Sequence, residues 1–81
     1  MPCVFSLKGY KFFFFSNEGD PRERLHIHIR KGSKLAKIWL EPDMIIASSF
    51  GFSSKELNWI LKLVSNRKAE IRSTWNEFFE I

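Results

Sequence analysis

The 81-residue chain predicts an α+β fold: a small antiparallel sheet of four to five strands packed against a C-terminal helix or helix pair. Three observations carry that reading. Between residues 4 and 47 apolar side chains come in short runs or alternate with polar ones, the period of a strand, and each run stops at glycine, proline or a polar cluster. Beyond Ser53 the period lengthens. Leu57, Leu61, Val64, Lys68, Ile71, Trp75 and Phe78 recur at steps of three and four, one apolar helix face broken at Lys68. Nine Phe, three Trp and one Tyr then supply the buried area that so short a chain needs to offset the entropy of ordering it.

The first two strands fall at residues 4–8 and 10–15, with Gly9 between them for a tight hairpin turn. Phe12, Phe13, Phe14 and Phe15 put rings on both faces of the second strand. Cover is therefore expected on both, from the helix on one side and from a second layer or a partner chain on the other. Residues 16–21 hold turn formers and no apolar residue, so they form a loop. In the third strand Leu25, Ile27 and Ile29 alternate with His26, His28 and Arg30; the aliphatic set should face the core and the His/His/Arg set the opposite face. A turn at 31–34 leads to a fourth strand in which Ala36, Ile38 and Leu40 alternate with Leu35, Lys37 and Trp39. Paired antiparallel to the third, it lays Trp39 beside the imidazoles. Pro42 and Asp43 mark a turn, and 44–47 a last short strand. Ser53 and Glu56 have the spacing of a capping box. The helix starts there and runs to about residue 79, with a break near Ser65 and Asn66, where helix propensity drops. Trp59 and Leu63 lie on the flank of the apolar stripe, where they would meet a partner.

A membrane helix needs about 20 apolar residues, far more than the FFFF or MIIA runs offer. The lone Cys3 has no internal partner, and with no signal sequence the expectation is one soluble domain, residues 1–81, in a reducing cytoplasm. Cys3 has no basic residue within four positions and is read as inert. A monomer or a homodimer fits this size.

Charge is lopsided. Of the net +4, residues 1–40 contribute +5 and residues 41–81 contribute −1. The excess gathers around the histidine strand in Arg22, Arg24, Arg30, Lys31, Lys34 and Lys37. Such a field implies an acidic partner surface or a polyanion, and RNA or DNA would use the cations for phosphates and the neighbouring rings for stacked bases. A solvated charge face is the alternative.

His26 and His28 project from one face about 7 Å apart along the strand. That spacing leaves three uses open. They can pack half-exposed on Trp39 or a Phe. They can act as an acid/base pair, with Arg22, Arg24 and Arg30 as phosphate ligands in a metal-independent ribonuclease. They can hold a metal with help from Glu18, Asp20 or Glu23, although the chain lacks a fixed ligand spacing, so no metal and no cofactor are expected. Trp75 and Phe78 read as core anchors, Glu41 and Asp43 as solvated turn residues.

The blocks GYKFFFFSNEGDPRE, HIHIRKG, AKIWLEP, GFSSKELNWI and RSTWNEFFE, in that order, resemble the bacterial domain of unknown function 4160 over nearly the whole chain. In that family the loop commonly runs through Pro-Pro into His-x-His. Here Arg24-Leu25 stands in place of the prolines, while His26 and His28 both match. The resemblance implies gene pairing with a second small protein, domain of unknown function 2442, in a toxin-antitoxin-like module, and hence a cognate protein partner. The leading expectation is a binding component that engages that partner through the His/Arg sheet face, with Trp39 and Trp59 at the interface. A ribonuclease-like toxin using His26 and His28, or a non-catalytic nucleic-acid-binding regulator, are the alternatives.

Overall fold

The computed structural model describes residues 3–15 and 24–79. In chain order the elements are β1 (Cys3–Leu7), β2 (Tyr10–Phe13), β3 (His26–Lys31), β4 (Lys34–Trp39), β5 (Ile45–Phe50), α1 (Ser54–Asn66) and α2 (Lys68–Phe79). The strands form one antiparallel sheet in sequential order. Both helices pack on the same face of it, so the small α+β architecture expected from the sequence is the one adopted.

Parity puts the core together. Phe12 pairs with Ile29, Ile29 with Ala36, and Ile27 with Ile38, a cross-strand stripe on the helix side. Ile60 and Val64 of α1 and Ile71 and Trp75 of α2 close over it, and all of these residues are buried. Fully burying a side chain of this size stabilises by about 2–3 kcal/mol, so the stripe is the main source of cohesion. Phe5 of β1 stacks on Phe12 at 4.4 Å, and Arg67 lies 4.4 Å above the Phe5 ring.

The turns follow their glycines. Leu7 and Tyr10 are joined by Lys8 and Gly9, both left-handed at φ 52° and 84°, the type I′ geometry that matches strand twist. Gly32 (φ 61°) opens the two-residue turn between β3 and β4. The α1 capping box forms: Ser53 Oγ accepts from the Glu56 amide at 3.1 Å and Glu56 Oε1 from the Ser53 amide at 2.9 Å.

Several expectations are refined. The helix breaks at Arg67, close to the predicted point. Beyond it Ile71 and Trp75 are buried as expected, but Phe79 packs on the core while Phe78 is exposed. Glu41 is engaged, its carboxylate 3.2 Å from Arg72 of α2. The last strand runs to Phe50, well past Ala47, because Ser48 and Ser49 continue the ladder opposite Lys37 and Ala36 around a bulge; Gly51, at φ 85°, supplies the turn. Phe13 is buried on the face away from the helices. Among the described residues its cover is local, from Phe15 at 5.4 Å and His28 at 5.6 Å, with no second layer.

Lys8 holds a left-handed conformation that disfavours a residue with a Cβ. Lys8→Asn, a better type I′ residue, should raise stability by about 0.5–1 kcal/mol, read as a higher urea midpoint at unchanged slope.

Candidate functional site on the open sheet face

With both helices on one side, the other side of the sheet is left to polar and aromatic residues. Register places Ser6 of β1, Lys11 and Phe13 of β2, His26, His28 and Arg30 of β3, Leu35, Lys37 and Trp39 of β4, and Ile45, Ser48 and Phe50 of β5 on this open face. Among the described residues it holds cations and no carboxylate. Arg24, just before β3, joins it: its guanidinium lies 4.6 Å from the Trp39 ring centre, and Lys37 Nζ lies 4.3 Å from the same ring. Lys11 and Arg30 flank a cleft of about 190 Å³ that Cys3 and Phe13 complete. At the β4–β5 end the face turns apolar, with Leu35, Ile45 and Phe50 exposed by 45%, 54% and 71%.

The two histidines differ. His28 is half-buried, edge-on to Phe15 at 4.4 Å and stacked near Phe13. His26 departs from the expected exposed placement and is fully buried. It opens β3 at the end of the sheet, where Trp75 of α2 reaches within 5.2 Å of its ring while Trp39 lies 5.0 Å away. Its Nδ1–H donates to the Arg24 carbonyl at 2.7 Å, which fixes the proton on Nδ1 because a carbonyl oxygen only accepts. The imidazole rings are 5.1 Å apart. They form part of an aromatic chain that turns the sheet edge from Phe15 through His28 and His26 to Trp75 and Phe14.

The six basic residues singled out in the sequence do not form one cluster. Arg24, Arg30 and Lys37 belong to the open face. Lys31 and Lys34, of the other parity at the hairpin turn, lie on the helix side, Lys31 Nζ 4.4 Å above the Tyr10 ring and Lys34 paired with Glu56 at 3.2 Å. Arg22 lies outside the described residues, as do the loop acids Glu18, Asp20 and Glu23. Trp39 meets the imidazoles as expected. Trp59 packs its ring 4.9 Å from Tyr10. Leu35 keeps the parity expected with Lys37 and Trp39, whereas sequence reasoning did not name Lys11, Phe13, Ile45 and Phe50 as open-face residues. Lys11 and Phe13 were recoverable by parity from Phe12, Ile45 and Phe50 only from a β4–β5 register that the sequence does not encode locally.

On the helix side a second cavity, about 310 Å³, is lined by Lys8, Tyr10, Ser53, Lys55, Glu56 and Trp59. Its centre of charge is Glu56. The carboxylate accepts from the Ser53 amide, from Tyr10 Oη at 2.7 Å and from Lys34 Nζ at 3.2–3.3 Å. These bonds, the Ser53 amide foremost, then the Tyr10 hydroxyl and the Lys34 ammonium, lower its pKa to about 2. In return the Glu56 carboxylate raises the Tyr10 phenol above its ordinary value. This arrangement ties β2, the β3–β4 turn and the start of α1 into one node. Among the described residues no three of His, Cys, Asp and Glu gather as metal ligands, and no helix is long and apolar enough to cross a membrane.

Fold and face together define a two-layer α+β protein with one sheet face sealed by helices and the other presented, cationic and aromatic, to its surroundings. The family model for Domain of unknown function (DUF4160) matches residues 9–76, and the chain belongs to that family. No curated protein and no solved structure matches it.

Two measurements check this geometry. Glu56 titrates at about 2 in the folded chain against an ordinary 4.5, so its stabilisation is complete above pH 4.5 and is lost as the pH falls toward 2. Glu56→Gln should lower the melting temperature at neutral pH and flatten the acid limb of a melting-temperature profile. His26→Ala, which opens a cavity and strands the Arg24 carbonyl, should cost about 2–3 kcal/mol by urea denaturation, whereas His28→Ala should cost under about 1 kcal/mol.

Proposed function

We propose that the chain is the binding component of a two-gene, toxin-antitoxin-like module of the bacterial cytoplasm, and that its open sheet face docks an acidic small protein of the domain of unknown function 2442 type. The observation that carries this reading is the composition of the open face: Lys11, Arg24, Arg30 and Lys37, no carboxylate among the described residues, and exposed Leu35, Ile45 and Phe50 alongside. Apolar anchors beside cations suit a protein surface, where apolar contact supplies affinity and charge supplies orientation and rate. A single-stranded nucleic acid would instead stack its bases on free ring faces. Trp39, the largest ring of the face, already has two cations over it.

Binding is also favoured over catalysis. A general acid or base must reach the reacting proton within about 3 Å, and a fully buried His26 with Nδ1 committed to a backbone carbonyl does not present itself to an RNA chain. His28 sits among rings at the surface of the same face, where it adds contact area and a polar edge. Arg30 and Lys11 line one cleft, and two cations there would take a carboxylate of the partner.

The test is titration of the chain with the product of the paired gene, by calorimetry, at two salt concentrations. An Arg30→Glu/Lys37→Glu variant with an unchanged circular dichroism spectrum should bind at least about tenfold more weakly, roughly 1.4 kcal/mol, and added salt should weaken the parent complex. Undiminished binding by the variant would remove the open face as the docking surface. Tight binding of a short single-stranded RNA, with a steep salt slope and no binding of the protein, would replace the reading with nucleic-acid recognition.

A further inference from the structure

We propose that the chain also pairs with a second copy of itself along the outer edge of β5, two antiparallel β5 strands joining two sheets into one continuous sheet. Among the described residues β5 is hydrogen-bonded on one side only, to β4, so alternate amides and carbonyls along its other side have no strand partner there. Sheet edges are usually blunted by charge, proline or a covering element. The β5 sequence IIASSF has no charge and no proline, and every residue of it except Ile46 is exposed. The other edge, β1, is less suited. Phe5 and Leu7 turn to the helix side, where Arg67 covers Phe5, and the open-face residues Cys3 and Ser6 offer little apolar area.

The occupant follows from register. A two-fold axis between Ala47 and Ser48 pairs Ile45 with Phe50 of the second copy, Ile46 with Ser49 and Ala47 with Ser48, using all six residues of each strand. Faces agree despite the bulge. Ile45, opposite Trp39, and Phe50, opposite Leu35, both belong to the open face, while Ile46, opposite Ile38, and Ser49, opposite Ala36, both belong to the helix face. The pairing therefore brings the two most exposed large apolar side chains of the described residues together twice, once on each side of the axis. Such a contact is isologous and closes at two copies. Charge does not oppose it: Lys37 lies one strand in from the edge, so the two Lys37 residues are separated by about three strand spacings, roughly 14 Å, beyond the screening length of about 8 Å at physiological salt. This inference does not depend on the identity of the ligand of the open face.

The experiment is sedimentation equilibrium of the full chain from micromolar to near-millimolar concentration. The parent should approach twice the 9.6 kDa chain mass. Ile45→Lys and Phe50→Glu, each alone, should remain monomeric over the range where the parent dimerises, with unchanged circular dichroism. The double variant should dimerise again, because the register sets the new lysine of each copy opposite the new glutamate of the other. Amide exchange in the parent should slow at residues 45–50 as concentration rises, a readout that needs no substitution. A parent that stays monomeric overturns the proposal, as does a dimer that neither single variant disturbs. A double variant that stays monomeric while both singles are folded overturns the register.

Discussion

Everything in this molecule depends on the side-chain alternation of β3, the central strand, which is hydrogen-bonded on both sides. Ile27 and Ile29 point to the helices and, with Phe12, Ala36 and Ile38, make the apolar floor on which α1 and α2 rest. His28 and Arg30, one residue out of phase, are thereby committed to the other face. A slip of one residue would exchange the two sets and bury a guanidinium while exposing the isoleucines. The sealed core and the charged open face are two consequences of one register.

The two faces handle charge in opposite ways. On the helix side Glu56 gathers the Ser53 amide, the Tyr10 hydroxyl and the Lys34 ammonium, so charge is neutralised within the fold and holds three elements at a corner. Arg72 and Glu41 do the same between α2 and the β4–β5 turn. On the open face the described residues provide no acid. Arg24 and Lys37 settle over the Trp39 ring, a contact worth about 0.5–1 kcal/mol where exposed, and leave the net positive field of the face intact. Internal neutralisation on one side and an unbalanced field on the other separate structural charge from charge available to a ligand.

His26 and His28 show how far identical residues can diverge on one strand. Both have the same parity, but position along the sheet differs. His28 lies where β2 and β4 flank it and takes its cover from Phe13 and Phe15. His26 lies at the strand end, where the twisted sheet lets Trp75 come round from the helix layer and complete a closed pocket. The Arg24 carbonyl then satisfies its Nδ1–H, as a buried polar group requires. One histidine has become part of the core and the other part of the surface.

The sequence alone determined what local chemistry controls. Period-two alternation placed the aliphatic faces of β3 and β4, Gly9 and Gly32 marked the β1–β2 and β3–β4 hairpin turns, Ser53 and Glu56 began α1, and the propensity dip at Ser65 and Asn66 anticipated the break at Arg67. These signals lie within a few residues of what they specify. The tertiary structure decided what depends on residues distant in the chain. Lys31 and Lys34 left the basic cluster because a two-residue turn set them on the helix side, with Tyr10 and Glu56 as partners. His26 was buried by Trp75, 49 residues later, and Ser48–Phe50 became strand because β4 offered a ladder to extend. Alternation along a strand can be read from one segment. Which side chains meet across a sheet edge, and which face a helix will cover, exist only once the segments are packed.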